Sequence, residues 1–440
     1  MLALQKYQNK KIAIYGMGIT GLSAAKVFRN SKAKIFCWDD NEKIRKKVKN
    51  LNLTVSKFWL NKKTVDVIVI SPGIDIEKCK LKNFLKKNIN RIITDLDLFF
   101  EFNKKNLIIS ITGTNGKSTT CKIIEKILKT EKNNVKTVGN IGKPILSLTK
   151  SKKKCVFIIE VSSYQLQYSK LFRSKHAAIL NISSDHLERH KNLKNYITIK
   201  SKIFLAQNNS GYSYINSENK YSKSIKKIFK FKKLKSKLFL INKSSCNFLL
   251  KKIHNRHFKS QGNIENLAFA YQIVKNMKIS DEIIIKAMNK FVGLPHRQEI
   301  ILSSKKLLCV NDSKATSFDA SLQSLSTFNK IFWIVGGLPK RQDHFDLGKV
   351  NKNIIKAYII GKNCSFFIKQ IKKSVPYTVS KNIKNAINRI IKDLQLNIKS
   401  QNTILLSPAA ASFDQFENFE DRGVYFKNLI VKKFRRRLNV

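Results

Sequence analysis

Residues 107–119 read LIISITGTNGKST. The run 107–111 is apolar and short, as a buried strand is. It feeds a loop with two glycines, Gly113 and Gly116, followed by Lys117, Ser118 and Thr119. Glycines let backbone N–H groups close around a phosphate, a lysine neutralises it, and a Ser or Thr hydroxyl reaches a Mg2+ ion. The stretch therefore predicts a strand, a nucleotide loop made by Gly113, Thr114, Asn115, Gly116 and Lys117, and a helix. Ile111 stands six residues before Lys117, where the common phosphate loop has glycine.

The same alternation extends in both directions. Residues 11–15, 65–70, 156–159, 177–180, 331–335, 357–360 and 403–406 are further apolar runs, with helix-period stretches between many of them. That pattern predicts an α/β protein built on mostly parallel sheets. Three motif-bearing regions set the expected domain spans at 1–97, 98–298 and 299–440. The stretch 207–258 is rich in Lys, Ser and Asn and reads as peripheral strands and loops.

The 440 residues are 42% hydrophobic and 26% charged, ordinary values for a globular chain. No apolar run reaches the ~18 residues of a membrane helix, and no signal peptide is apparent. Seven cysteines without a C-x-x-C pair fit a reducing compartment, hence a cytoplasmic location. The net charge of +58 first suggests a nucleic-acid partner. The basic residues are spread evenly, however, and 73 of the 86 are Lys. Base readers and phosphate clamps favour Arg. The charge is read as a compositional bias over an enzyme, with no specific nucleic acid and no membrane as partner.

Near the N-terminus, Gly16-x-Gly18-x-x-Gly21 follows a strand and opens a helix, and Asp39 lies about 20 residues on, after a second strand at 34–37. This is a dinucleotide fingerprint, but its physics requires only a phosphate at a helix N-terminus. A nicotinamide oxidoreductase is disfavoured by the second phosphate loop. Ser71-Pro72-Gly73 ends another strand of this region. Glu160 and Ser162 follow the strand at 156–159, and Asp185-His186 follows the one at 177–180. A carboxylate and an imidazole at strand ends near a phosphate loop are candidate metal ligands.

Taken together, the motifs resemble the Mur ligases of peptidoglycan synthesis. The nucleotide loop 112–119 and NISSDHLER at 181–189 carry the resemblance. So do GMGITGLS at 16–23, FVGLPHRQE at 291–299, NDSKAT at 311–316 and SPAAASFDQFENFEDRG at 407–423. The resemblance implies a Rossmann-like UDP-binding domain, a central ATPase domain and a C-terminal Rossmann-like domain. It implies ATP-dependent amide formation on UDP-N-acetylmuramoyl-L-alanine with D-glutamate, in a monomer using ATP and Mg2+. Gly18, Thr20, Asp39, Asp40, Ser71, Gly73, Asn140, Ser162 and His186 would meet the UDP substrate. The loop 113–119, with Asn263, Asn266, Arg297, Asp312 and Lys314, would meet ATP. Ser118, Glu160, His186 and Lys200 would hold metal, Lys200 as a carbamate. Thr316, Lys340, Ser412, Phe413 and Phe419 would shape the D-glutamate pocket.

Overall fold

The computed structural model of the chain describes residues 5–60, 65–139, 144–148, 154–340, 343–394 and 401–434. It contains three sheets, one in each of the three expected spans. The first has the order β2-β1-β3-β4, with β1 Lys11–Tyr15, β2 Lys34–Trp38, β3 Val67–Ile70 and β4 Ile92–Ile93, all parallel. The second has the order β10-β9-β8-β5-β7-β6 and is also parallel. Its strands are β5 Leu107–Thr112, β6 Val135–Gly139, β7 Val156–Glu160, β8 His176–Ile179, β9 Tyr212–Asn216 and β10 Lys237–Ile241.

The third sheet has the order β11-β12-β16-β13-β14-β15 and is mixed, since β11 runs antiparallel to β12. Its strands are β11 Glu299–Ser303, β12 Leu307–Asn311, β13 Ile331–Gly336, β14 Ile354–Ile360, β15 Tyr377–Lys381 and β16 Asn402–Leu406.

By compactness the chain forms two units: Met1–Ile253 with Glu265–Asn289, and His254–Ile264 with Lys290–Val440. The first unit holds two sheets because one apolar core serves both. Ile12, Ile14 and Phe28 from the first region share a cluster with Leu98, Phe99, Phe157 and Ile159. A polar rivet adds to it. Thr94 and Asp97 form a capping box on helix Asp95–Asn103. Asp97 Oδ1 also accepts the backbone N–H groups of Lys170, Leu171 and Phe172 at 2.8–3.0 Å. In the second unit the two faces of the sheet bury separate clusters, around Trp333 and Phe345 on one side and Phe332 and Phe426 on the other. Asn255 Nδ2 donates to Phe291 O and Arg256 Nη1 to Ser303 Oγ, which ties the segment His254–Ile264 to that unit.

Of the strands read from sequence, 11–15 keeps its bounds and most others run a residue or more longer, 357–360 becoming Ile354–Ile360; 65–70 narrows to Val67–Ile70, and 177–180 shifts to His176–Ile179. Within 207–258, β9 is an interior strand of its sheet, lying between β8 and β10, with Tyr214 and Ile215 fully buried; β10 is the edge strand. Among the described residues no helix is long and apolar enough to cross a membrane, and no disulfide joins any of the seven cysteines.

Candidate active site

In each sheet many of the residues singled out by sequence lie just beyond the carboxyl ends of adjacent parallel strands, where α/β folds bind ligands, whereas Lys200, Asn263, Asn266 and Phe419 lie on helices and Arg297 precedes β11. In the first sheet the ends of β1, β2 and β3 supply the Gly16–Gly21 loop, Asp39 and Ser71-Pro72-Gly73. Gly21 packs so closely that a Cβ there would meet Gly16 O at 2.0 Å. Ser71 Oγ donates to Gly16 O at 2.6 Å. Asp39 Oδ2 accepts Met17 N–H at 2.7 Å and braces the loop.

A cavity of about 440 Å3 opens here, lined among others by Gly18, Thr20, Asp39, Ser71, Gly73 and Ser162. Six of the nine residues assigned to the UDP substrate thus share one cavity. Asp40 does not line it; its carboxylate accepts from Tyr15 OH at 2.6 Å and Trp38 Nε1 at 3.3 Å. His186 also lies off its wall. Asn140 falls outside the described residues. Arg189 joins the first sheet's loops to the second. It donates to the carbonyls of Gly73 at 3.3 Å and Ile74 at 2.5 Å, and its Nε to Gln167 at 2.7 Å.

In the second sheet the ends of β5, β7 and β8 come together. The nucleotide loop turns through Gly113 (φ 154°) and Gly116 (φ 82°). Gly116 is needed for conformation and for space, since a Cβ would meet Asn266 Oδ1 at 2.2 Å. Asn266 Oδ1 also accepts the Thr120 hydroxyl at 3.1 Å. Lys117 opens helix Lys117–Thr130, and its ammonium donates to Gly113 O at 2.9 Å and Thr114 O at 2.8 Å. Ser118 Oγ donates to Glu160 Oε2 at 2.6 Å. Thr119 follows in the first helical turn.

Lys200, on helix Leu193–Ser201, is buried and donates to Thr112 Oγ1 at 3.2 Å and Gly113 O at 2.9 Å. Burial drives its pKa well below the ordinary lysine value. The Lys117 charge pushes the same way, while Asp185 and Glu160 oppose it. His186 takes a left-handed conformation (φ 55°), with Nδ1 3.0 Å from Tyr164 OH and Nε2 3.4 Å from Asp185. Ser118 and Glu160 offer the oxygen donors that Mg2+ prefers. Among the described residues no group of three His, Cys, Asp or Glu is placed to hold a metal ion.

Sequence reasoning overlooked two residues here. Asn181 clamps the loop, accepting Asn115 N–H at 2.9 Å, and Glu265 accepts the Asn181 amide at 3.1 Å. Asn181 stood at the head of a quoted motif; nothing in the spacing pointed to Glu265.

In the second unit, β12, β16 and β13 are adjacent and parallel. Thr316 follows β12, Lys340 follows β13, and Ser412 and Phe413 follow β16. Lys314 Nζ lies 3.7 Å from the centroid of the Phe419 ring, a cation–π pair. Asp312 is buried, and both its oxygens accept bonds within the unit: Gln298 N at 3.2 Å, Ser324 Oγ at 2.6 Å and Ser407 Oγ at 3.1 Å. Burial raises its pKa to about 6. Asn263 Nδ2 donates to His257 O at 2.8 Å, and Arg297 sits in a short bridge with Leu294. The overlooked residue is Arg422. It is 1% exposed and donates to Ser313 O at 2.8 Å and Ala410 O at 3.0 Å, binding the loops after β12 and β16 together.

Residues 111–283 match the family described as Mur ligase middle domain, and residues 10–93 the Mur ligase MurD-like N-terminal domain. The UDP-N-acetylmuramoylalanine–D-glutamate ligase of Rickettsia bellii is 34% identical over 452 residues, covering 97% of this chain and 98% of that protein. Solved structures share the fold. A MurF from Acinetobacter baumannii aligns with TM-score 0.56 at 16% identity, over 84% of this chain and 92% of that one. A folylpolyglutamate synthase/dihydrofolate synthase from Yersinia pestis, complexed with AMPPNP and Mn ion, aligns with TM-score 0.56 at 16% identity, over 76% and 92%.

Proposed function

The chain belongs to the Mur ligase family, and from that premise we propose that it joins D-glutamate to UDP-N-acetylmuramoyl-L-alanine, converting ATP to ADP and phosphate. The observation that carries this reading is the gathering of Lys117, the Ser118–Glu160 pair and buried Lys200 around one glycine loop. A carboxylate is a poor electrophile, so the alanyl carboxylate must first be activated. One of its oxygens attacks the γ-phosphorus of ATP, ADP leaves, and an acyl phosphate forms. The amine of D-glutamate attacks the acyl carbon, an amide forms, and phosphate departs with the attacking oxygen.

Phosphoryl transfer asks the protein for position and charge neutralisation more than for a covalent group. Lys117 supplies charge by exchanging its two loop carbonyls for phosphate oxygens. Mg2+, bound through Ser118 and Glu160, would draw charge off the phosphates. Lys200 is suited to carry CO2: its neutral amine is favoured, and a carbamate would turn a repelling cation into an oxygen ligand. His186 is the fourth group of that metal assignment. The UDP moiety takes the cavity at Gly18, Thr20 and Ser71. The same reading assigns ATP to the domain at 98–298 and D-glutamate to Thr316, Lys340, Ser412, Phe413 and Phe419 in the domain at 299–440. It makes the enzyme a cytoplasmic monomer. For Asn263, Arg297, Asp312 and Lys314 the nucleotide role rests on the family resemblance.

The test is isotopic. With heavy oxygen in the substrate carboxylate, label should appear in the released phosphate. Phosphate free of label, at normal amide yield, would rule out the acyl phosphate.

A further inference from the structure

Asp95 opens helix Asp95–Asn103 and is only 2% exposed, yet it lines the same cavity of about 440 Å3. Its Oδ1 accepts Leu96 N–H at 3.0 Å and its Oδ2 the Gln165 amide at 3.1 Å. A carboxylate takes about four hydrogen bonds, so acceptor capacity is left over inside the protein. Spare capacity on a buried charge is costly unless a donor arrives. Gln165 keeps the group in place. Its Oε1 accepts both the Ser162 N–H and the Ser162 hydroxyl at 3.1 Å, so its NH2 is directed at Asp95.

The cavity has two chemically different sides. On the side of the first sheet, Gly18 caps the N-terminus of helix Ile19–Arg29, which suits a diphosphate, and Ser71 at the end of β3 lines the same side. Asp95, Ser162 and Gln165 lie toward the second sheet. A carboxylate repels phosphate, so the part of the ligand it meets must be uncharged and rich in donors. We propose that Asp95 binds the sugar of the UDP-linked substrate, accepting a hydrogen bond from a hydroxyl or the amide N–H. This rests on the reading that the cavity takes a UDP-linked amino sugar.

Calorimetric titration of the full-length enzyme and of Asp95→Asn, with UDP and with UDP-N-acetylmuramoyl-L-alanine, tests it. In the variant the one remaining oxygen keeps either the Gln165 or the Leu96 bond, while the new NH2 meets the other of these donors, and a substrate donor on its side, with a donor. UDP should bind equally to both proteins, and the full substrate about 10- to 100-fold more weakly to the variant. The KM for ATP should be unchanged. If the unaltered enzyme fails to bind the full substrate, the functional reading falls and the inference with it. If that enzyme binds normally, two results overturn the Asp95 assignment alone: equal affinity of the variant for the full substrate, or an equal loss for UDP; should Asp95→Asn not fold, Asp95→Ser is titrated in its place and read by the same two results.

Discussion

At the scale of single residues, burial and charge separate two titrating groups with different roles. His176 is buried at the start of β8, with Nδ1 2.9 Å from Tyr214 OH. Burial, with the Lys175 charge, lowers its pKa to about 3. The unfolded chain holds a histidine near 6.5, so below that pH the unfolded state binds a proton that the native state refuses. The stabilisation is therefore present above about pH 6.5 and is lost as pH falls toward 3. Between about pH 7.5 and pH 5, the stability advantage over His176→Gln should shrink by about 2 kcal/mol. A constant difference in melting curves across that range would contradict the burial argument. Lys200 is the functional counterpart. Lys200→Ala should lose nearly all turnover, and formate should partly restore it by filling the vacated site. Lys202→Ala, whose ammonium bonds Gln167 O, should need no rescue. Native mass spectrometry should find the mass of one CO2 on the unaltered enzyme and not on Lys200→Ala; full activity in that variant would exclude the carbamate. Of these residues, Lys200 was visible in the sequence through a motif. Asp95 was not: its partner Gln165 lies 70 positions away, and no local period connects them.

At the scale of elements, the strand-end loops carry the chemistry, and they were the most legible parts of the sequence. A loop such as 112–119 needs glycine where φ is positive and a lysine where phosphate lies, so its chemistry is written in consecutive residues. Lys117→Ala should abolish most turnover while leaving the melting curve in place, because the ammonium's bonds to Gly113 O and Thr114 O stay within its own loop. Near-normal turnover at saturating ATP would refute the phosphate role. Strands without such signatures were harder to read. β12 begins directly after Lys305 and Lys306, and its apolar run is only four residues before Asn311, so it did not stand out. In β9, the sequence Tyr-Ser-Tyr-Ile-Asn mixes polar and aromatic residues, although it is buried between neighbouring strands. Ser213 satisfies its hydroxyl with Gln207 at 2.6 Å and Ser236 at 2.8 Å, partners that only the fold supplies. Asp312 reverses the lesson: its motif was legible, yet its carboxylate is engaged by Gln298, Ser324 and Ser407.

At the scale of the whole molecule, the +58 charge is the feature that composition makes loudest and the site uses least. Surface lysines act over a Debye length of about 8 Å at physiological ionic strength, whereas contacts inside a cavity are screened less. Added salt should therefore weaken binding of the UDP substrate only moderately. Tight, stoichiometrically inhibitory binding of nucleic acid near physiological salt would give the charge a second function. The alternation of strands and helices over the whole chain was legible because buried parallel strands must be apolar on both faces. The grouping of the first two sheets was not, because the shared core around Phe99 and Phe157 joins residues distant in sequence. The central claim is the identity of the amino acid that the enzyme adds. Phosphate release from ATP in the presence of UDP-N-acetylmuramoyl-L-alanine measures it directly, with D-glutamate, L-glutamate and meso-diaminopimelate compared side by side. Release that depends on D-glutamate and stays at background with the other two is the predicted result; equal or faster release with L-glutamate or meso-diaminopimelate would contradict it.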